Sequence, residues 1–309
     1  MLISVIIPTY NPNLQRLAQT LTALKNQSLA YNSWELLVID NNSTISFTDK
    51  IDISWHPNSK LISEPVQGLT YARLKGFAAA KGEIIVMVDD DNILQANYLE
   101  KVNNIFSANS KLGAAGGKSL PLFETEPPVW LPEFYGNLAL RDFGDKIVIN
   151  KWENKYPDYA PIGAGMAIRK TALSAYINKI NTKTTTISDR KGNSLSSGGD
   201  NDMIIEISKA GWFTGYFPML SLQHIIPAER TQPNYLARLV NNTNKSWVEL
   251  LESHHINPWK KIAAWSVSLR KIKASFTYKA WQSDLHYIRW QAACGIFDGL
   301  AAINHKPKD

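Results

Sequence analysis

The sequence predicts an α/β protein: a mostly parallel central sheet flanked by helices, followed by a basic, tryptophan-rich helical extension. Three observations carry this. Short apolar, β-branched runs alternate with amphipathic segments through the first half, which is the pattern of βαβ units. These runs are apolar on both faces, as strands covered by helices on each side must be. Beyond Pro227 the strand pattern stops, and residues 234–303 read as helix with a break at Pro258.

The elements follow in order. ISVIIP (3–8) is the first strand. A helix comes next: Asn11 can cap it, Pro12 suits its first turn, and Leu14, Leu17, Leu21 and Leu24 share one face. WELLVID (34–40) and KLISE (60–64) are the second and third strands, and GLTYARLKGFAAAK (68–81) is a helix closed by Gly82. EIIVMVD (83–89) is the fourth strand, followed by a helix over 95–108 and a fifth strand at LGAAGG (112–117). Residues 119–162 carry scattered prolines and aromatics without periodicity and read as a long ordered excursion. AGMAIRK (164–170) is a strand leading into a helix, DNDMIIEISKAGW (200–212) a helix ended at Gly211, and GYFPMLSLQHII (215–226) holds at least one strand. No internal repeat interrupts this order. The main domain is expected over 1–230 and the helical extension over 231–309.

Composition excludes several classes. With 309 residues, 44% of them hydrophobic, the chain can bury a large core. A single cysteine, Cys294, rules out a disulfide framework and suits a reducing compartment. The start MLISVIIPTYN lacks a basic region and turns polar after seven residues, so it is not read as a signal peptide. No run approaches the roughly 18 apolar residues of a spanning helix. A cytoplasmic protein is expected, soluble or peripheral on the inner face of the membrane. The net charge of +6 is local: residues 255–309 hold nine Lys/Arg against Asp284, Asp298 and Asp309, so residues 1–254 are neutral. That argues against nucleic-acid binding by the body of the protein.

In an open parallel sheet, ligands bind at the carboxyl ends of the strands. Three strands deliver polar groups there: Pro8-Thr9-Tyr10-Asn11, Asp40-Asn41-Asn42-Ser43 and Asp89-Asp90-Asp91-Asn92. Asp40 taken alone is better explained as a loop or cap carboxylate. Three consecutive carboxylates repel one another unless a cation or a proton offsets them. Oxygen ligands at i and i+2 suit Mg²⁺ or Mn²⁺ sharing its remaining positions with phosphates, so a phosphorylated ligand is expected. PTYNPN contains no glycine, which excludes a dinucleotide fingerprint. In LGAAGGKS the first glycine, Gly113, lies one position off the P-loop spacing, and LPLFETEPP is no helix start, which excludes a P-loop.

Taken together, VIIPTYN (5–11), LLVIDNNST (36–44), GLTYARLKGFAAAKGEIIVMVDDDN (68–92), GAGMAIRK (163–170), SGGDNDMIIEISKAGW (197–212) and LQHIIPAER (222–230) resemble family 2 glycosyltransferases of the GT-A fold, which are inverting and contain a DxD motif. The resemblance covers about 1–230 and implies a nucleotide-sugar-binding half over 1–117 and an acceptor and catalytic half over 118–230. It implies that Pro8, Thr9 and Tyr10 line the nucleotide pocket, that Asp40 meets the base or ribose, and that Arg73 sits against the nucleotide or the DxD carboxylates. Asp89-Asp90-Asp91 would be the DxD motif, with Asp89 and Asp90 on the donor side and Asp91 on Mn²⁺ or Mg²⁺. His224 would join the metal or the diphosphate, and Asp200 would be the general base. Gly199-Asp200 stands where the family often has Glu-Asp, which keeps Asp202 as an alternative base. Glu64-Pro65-Val66-Gln67-Gly68 replaces the commoner Asn-x-Gly.

The implied reaction moves a sugar from a nucleotide-diphosphate sugar, with a UDP-sugar favoured, to a hydroxyl of a glycan or lipid-linked acceptor in surface polysaccharide or glycolipid synthesis. A sugar-1-phosphate nucleotidyltransferase would need a Gly-rich, Lys/Arg-bearing loop after the first strand, which PTYNPN does not supply. A non-catalytic nucleotide-sugar-binding protein would have no need of both Asp91 and Asp200. Trp130 and Tyr135 are candidates for an acceptor wall, because aromatic faces suit the C–H face of a sugar; ordinary loop packing accounts for them equally well. In 259–297, Trp259, Trp265, Trp281 and Trp290 interleave with Lys and Arg. That pattern fits a membrane surface, packing on the main domain, or dimerisation.

Overall fold

Burial along the first strand sets the architecture. β1 (Ile3–Thr9) is buried over all seven residues. The chain continues with α1 (Leu14–Lys25), β2 (Trp34–Asp40), β3 (Ser59–Ser63), α2 (Leu69–Ala79), β4 (Ile84–Met87), β5 (Asn92–Leu94), α3 (Tyr98–Ala108) and β6 (Leu112–Phe123). Then come β7 (Val148–Asn150), β8 (Ala167–Arg169), α4 (Ser174–Asn181), α5 (Gly199–Lys209) and β9 (Phe213–Ile226). Three further helices follow: α6 (Pro233–Ser253), α7 (Val267–Thr277) and α8 (Asp284–Ala302). The computed structural model describes residues 2–182 and 198–303; Ser197 of the SGGDNDM motif and the terminal charges Lys306, Lys308 and Asp309 lie outside them.

The nine strands form one sheet in the order β3-β2-β1-β4-β8-β6-β9-β5, with β7 on β9. β1 pairs parallel with β2 and β4, and β2 with β3. From β4 onward the recorded pairings, β4–β8, β6–β8, β5–β9 and β7–β9, are antiparallel. In the parallel part α1 joins β1 to β2 and α2 joins β3 to β4, while β2 reaches β3 through residues 41–58 without a helix. The later strands pair antiparallel, which requires no crossover connection.

Two apolar layers cover the sheet, and β1 supplies both by its two-residue alternation. Ile3, Val5 and Ile7 pack with Leu17, Leu21 and Leu24 of α1 and with Val102 and Phe106 of α3. Ile6 faces the other way, with Ala72 and Phe77 of α2 and Ile204 and Ile207 of α5. The cap of α1 is Asn13, whose side chain accepts from the backbone N–H of Gln15 and Arg16. Asn11, the cap expected from sequence, instead adopts φ 47° and accepts from the Thr44 N–H at 2.9 Å. Pro12 therefore precedes the helix rather than opening it.

The chain divides into two compact units. One is built from 2–122, 139–182 and 200–226, and the other includes 123–138 and 227–303. The excursion expected at 119–162 is thereby split. Its later part joins the first unit, where Ser119 bridges Arg141 and β7 pairs with β9. Its earlier part joins the helices: Arg289 donates twice to Glu133 at 2.6 Å, and Asn137 donates to Thr243 Oγ1 at 3.1 Å. Within that unit α6 and α8 approach closely. A Cβ at Gly295 would lie 2.1 Å from the Asn241 carbonyl oxygen, and the Asn241 and Asn244 side chains donate across to Gln291 O and Ala292 O, both at 3.0 Å. Among the described residues no helix is long and apolar enough to cross a membrane.

One buried histidine ties pH to stability. His56 is 1% exposed, against Trp34 at a ring separation of 4.0 Å and beside Tyr31 and Trp55. Its Nδ1 accepts from the Asn58 N–H at 3.1 Å. Burial lowers its pKa from 6.5 to about 4, with Glu35 opposing. The unfolded chain therefore takes up this proton near 6.5 and the folded chain only near 4. Stability from this group is complete above 6.5 and is lost as pH falls through that window. In urea unfolding followed between those two pH values, His56→Phe should be less stable at neutral pH, through loss of the Asn58 bond. Its stability should also fall less steeply with acid than the wild type's, by the contribution of one proton; identical slopes would reject the assignment.

Candidate functional site

The register of β1 against β2 and β4 brings three strand ends to one rim. Thr9 sits directly beside Asp40 in the β1–β2 pairing. Thr9 is buried and its hydroxyl donates to Asp90 Oδ2, joining the ends of β1 and β4. Asp40 Oδ1 accepts from the Ser43 N–H at 3.0 Å, which turns the chain back over the rim. Pro8 is buried within β1, and Tyr10 stands half-exposed just beyond it.

Asn41 is buried and holds the next segment. Its Nδ2 donates to Val66 O at 2.7 Å and its Oδ1 accepts from the Gly68 N–H at 2.7 Å. Gly68 is the residue before α2 and has φ 142°, a conformation that only glycine adopts readily. The pair fixes where α2 begins and hence where Arg73, one turn along, is placed.

After β4 the chain turns through Asp89, Asp90 and Asp91. Asn92 is fully buried: its Oδ1 accepts from the Asp89 N–H at 3.2 Å and its Nδ2 donates to Asp91 Oδ1 at 3.0 Å. Asn92 opens β5, whose antiparallel register sets it opposite His224 of β9. The backbone closes the same junction, with the Ile225 N–H donating to Asp91 O at 2.9 Å. His224 Nε2 lies 3.3 Å from Asp91 Oδ1. Strand pairing therefore places this histidine on the carboxylate run from 133 residues away in sequence.

Arg73 is 3% exposed, and its Nη1 lies 2.5 Å from Asp200 Oδ1. The other oxygen of Asp200 accepts from the Gly163 N–H at 3.1 Å. A Cβ on Gly163 would lie 2.3 Å from Asp200 Oδ2 and 3.0 Å from Arg73 Nη2, so only glycine leaves the ion pair undisturbed. Gly165 has φ +74° and packs against Tyr98, whose hydroxyl donates to Gly165 O at 2.7 Å. Burial raises the Asp89 carboxyl above the ordinary carboxylate range. The Asp91 charge adds to this, Arg73 opposes it, Asp200 adds again, and His224 opposes. These five groups share one electrostatic neighbourhood.

The remaining candidates have other partners. Asp202 is 1% exposed and pairs with Lys179 of α4 at 2.6 Å. Two residues along a helix turn the side chain by about 200°, so Asp202 does not join Asp200 beside Gly163. Trp130 and Tyr135 belong to the other unit, where their rings meet Phe134 and Phe123. Sequence reasoning missed Asn41 and Asn92 as positioning groups, although both directly follow an aspartate at a strand end. It also missed Arg141, which donates to Ala160 O at 2.6 Å. Burial pulls its guanidinium below the usual range, while Tyr156 and Asp200 oppose that shift. Nothing in its local sequence marks it.

Known proteins bear on this arrangement. A model of the family described as Glycosyl transferase family 2 matches residues 4–171, more than half of the chain. The glucosyl-dolichyl phosphate glucuronosyltransferase of Haloferax volcanii is 27% identical over 156 residues, covering 47% of this chain and 48% of that protein. The UDP-Glc:alpha-D-GlcNAc-diphosphoundecaprenol beta-1,3-glucosyltransferase WfgD of Escherichia coli is 34% identical over 100 residues, covering 32% of this chain and 38% of that protein. The chain thus spans about half the length, or less, of these curated relatives. Among solved structures, the mannosyltransferase PcManGT from Pyrobaculum calidifontis, in complex with GDP-Man and Mn²⁺, superposes with TM-score 0.60 at 16% identity, covering 96% of this chain and 87% of that one. S. aureus TarS 1–349 in complex with UDP-GlcNAc gives TM-score 0.56 at 15% identity, covering 98% and 91%. At such identities the likeness is one of fold, and that fold is GT-A: a mixed sheet between helices, here with α6 to α8 following. The family match runs from β1 through the triple carboxylate to the Gly163 turn, and on that ground the chain belongs to glycosyl transferase family 2.

Proposed function

We propose that the protein transfers a sugar, with inversion, from a nucleotide-diphosphate sugar to a hydroxyl of a glycan or lipid-linked acceptor. The observation that carries this is the meeting of Asp89, Asp91, His224, Arg73 and Asp200 at the carboxyl ends of the parallel strands. In this reading 1–117 carries the donor and 118–230 the acceptor side, with the helical extension beyond. A UDP-sugar is the favoured donor, supported by the UDP-GlcNAc bound to TarS and the UDP-Glc in the name of WfgD. The lipid-diphosphate and dolichyl phosphate in the relatives' names support a lipid-linked acceptor, and with it polysaccharide or glycolipid synthesis.

The residues present fit a divalent cation. Carboxylate oxygens of consecutive aspartates and an imidazole nitrogen 3.3 Å from one of them form a mixed oxygen and nitrogen donor set suited to Mn²⁺ and acceptable to Mg²⁺. Asp91 and His224 would hold the ion. When bound, it supplies neutralisation of the charge that builds on a departing diphosphate. The chain's own groups do the remainder. Thr9 and Asp40, side by side on adjacent strands, line the nucleoside end with Pro8 and Tyr10, while Thr9 also holds Asp90 in place. Arg73 and the Gly163 N–H each take one oxygen of Asp200, and so orient that carboxylate to accept the acceptor's hydroxyl proton. A base on α5 and carboxylates after β4 stand on separate elements, which suits attack from the face opposite the leaving group. Trp130 and Tyr135 remain candidates for contact with acceptor sugars.

Three substitutions test these roles. Asp91→Ala should abolish the metal-dependent rise in melting temperature that a UDP-sugar produces with Mn²⁺. An undiminished rise would remove Asp91 from the ion's ligand set. Asp200→Asn should bind donor almost normally and lose about 10²–10⁴-fold in transfer rate, the usual share of a general base. Wild-type turnover by this variant would reject the base. Gly163→Ala should lower kcat with little change in donor KM, because the added methyl displaces the Asp200 carboxylate and spares the strand ends; an unaltered kcat would show that Asp200 tolerates the shift.

A further inference from the structure

We propose that α7 and the turn before it form a docking face for an anionic lipid bilayer, lying on the membrane surface without crossing it. Nineteen large apolar side chains are exposed among the described residues, and seven of them fall within 259–281. They are not scattered. Trp265, Leu269, Ile272 and Phe276 follow one another at spacings of four, three and four, a single stripe along the helix, and they are 56–78% exposed. Trp281 extends the stripe, with its ring 5.5 Å from that of Phe276.

The opposite side of α7 is already occupied. Ala274 is buried, Lys271 pairs with Asp298 of α8 at 2.7 Å, and Trp290 Nε1 donates to Lys271 O at 3.0 Å. The helix is therefore fixed on α8 with its apolar stripe outward, so the exposed stripe is not the contact that holds the unit together.

Charge selects the occupant. Residues 253–283 contain six Lys/Arg and no Asp or Glu. Lys261 pairs with Glu252 and Lys271 with Asp298. Lys260, Arg270, Lys273 and Lys279 remain exposed, with no ion pair among the described residues. Basic side chains flanking an exposed aromatic and aliphatic stripe match a surface whose apolar interior lies beneath a layer of negative headgroups. Indole rings favour that boundary. A second copy docking through the same face would set like charges against like. Such docking concerns where the chain rests, apart from the transfer reaction, and is measured with neither donor nor acceptor.

The full chain should be centrifuged with vesicles of phosphatidylcholine alone and of phosphatidylcholine mixed equally with phosphatidylglycerol, at low and high salt. The expected result is partition to the anionic vesicles only, weakened by salt. Arg270→Ala with Lys273→Ala should weaken that partition by about 20- to 30-fold, about five-fold for each charge near the surface. Trp265→Ser with Phe276→Ser should reduce it at every salt concentration, with unchanged melting midpoints because both rings are exposed. The proposal is overturned if the wild type ignores anionic vesicles, if it binds neutral ones equally, or if the serine variant's only effect is to dissolve a dimer seen by size exclusion.

Discussion

Like charges crowded at the end of a buried strand are the constraint on which the rest of the first unit depends. Asp89, Asp90 and Asp91 follow β4 after Val88, and Asp200 adds a fourth carboxylate to the same neighbourhood. Such a cluster is held only where neighbouring groups offset its repulsion. Each compensating contact is supplied by a different element: Thr9 from β1, Arg73 from α2, Asn92 from β5 and His224 from β9. The position of each of these groups is fixed in turn by backbone. Asn41 pins the start of α2, and the β5–β9 ladder fixes His224.

Space is rationed as closely as charge. Gly163 admits the Arg73–Asp200 pair because it has no Cβ, and Gly165 admits the Tyr98 hydroxyl. A chain that kept the carboxylates but lost these glycines would have no room for the geometry that makes them useful. The same logic holds away from the site. Gly117 in β6 faces backbone so near that a Cβ there would lie 1.9 Å from Leu220 O, so the second half of the sheet closes only around glycine. The antiparallel half is therefore as much a part of the site as the parallel half, since β9 delivers the histidine and the Gly163 turn leads into β8.

The helical unit obeys a different rule. α6 and α8 are joined by close backbone approach at Gly295 and by asparagine side chains donating to carbonyls, with Val248, Leu300 and Ile303 as a small apolar centre. Residues 123–138 are tied to these helices by the Glu133–Arg289 fork. Such a unit leaves much of α7 outside its core. Its exposed aromatics are then a feature of the surface, where apolar side chains in one contiguous stripe call for a partner.

The sequence by itself determined the parallel half of the sheet, because strands buried on both faces need continuous apolar runs and crossover helices need one apolar stripe. It also determined that polar groups fall at strand ends, with carboxylates at two of them, since ISVIIPTY, WELLVID and IIVMVDDD each run from apolar to polar at that point. Asp89, Asp91, Arg73, Asp200 and His224 were each legible as candidates. The tertiary structure decided which of them meet. Asp202 reads as well as Asp200 in one dimension, yet helical rotation sends it to Lys179. The cap of α1 moved from Asn11 to Asn13 because Asn11 is taken by Thr44 across the rim. Asn41 and Arg141 act through partners far along the chain, Asn92 is set beside Asp89 and Asp91 by the β5–β9 ladder, and the split of 119–162 between two units depends on contacts with strands and helices distant in sequence. Contacts of that kind leave no local pattern, because what fixes them is the register of strands and the room left by glycines, and both exist only once the chain has closed on itself.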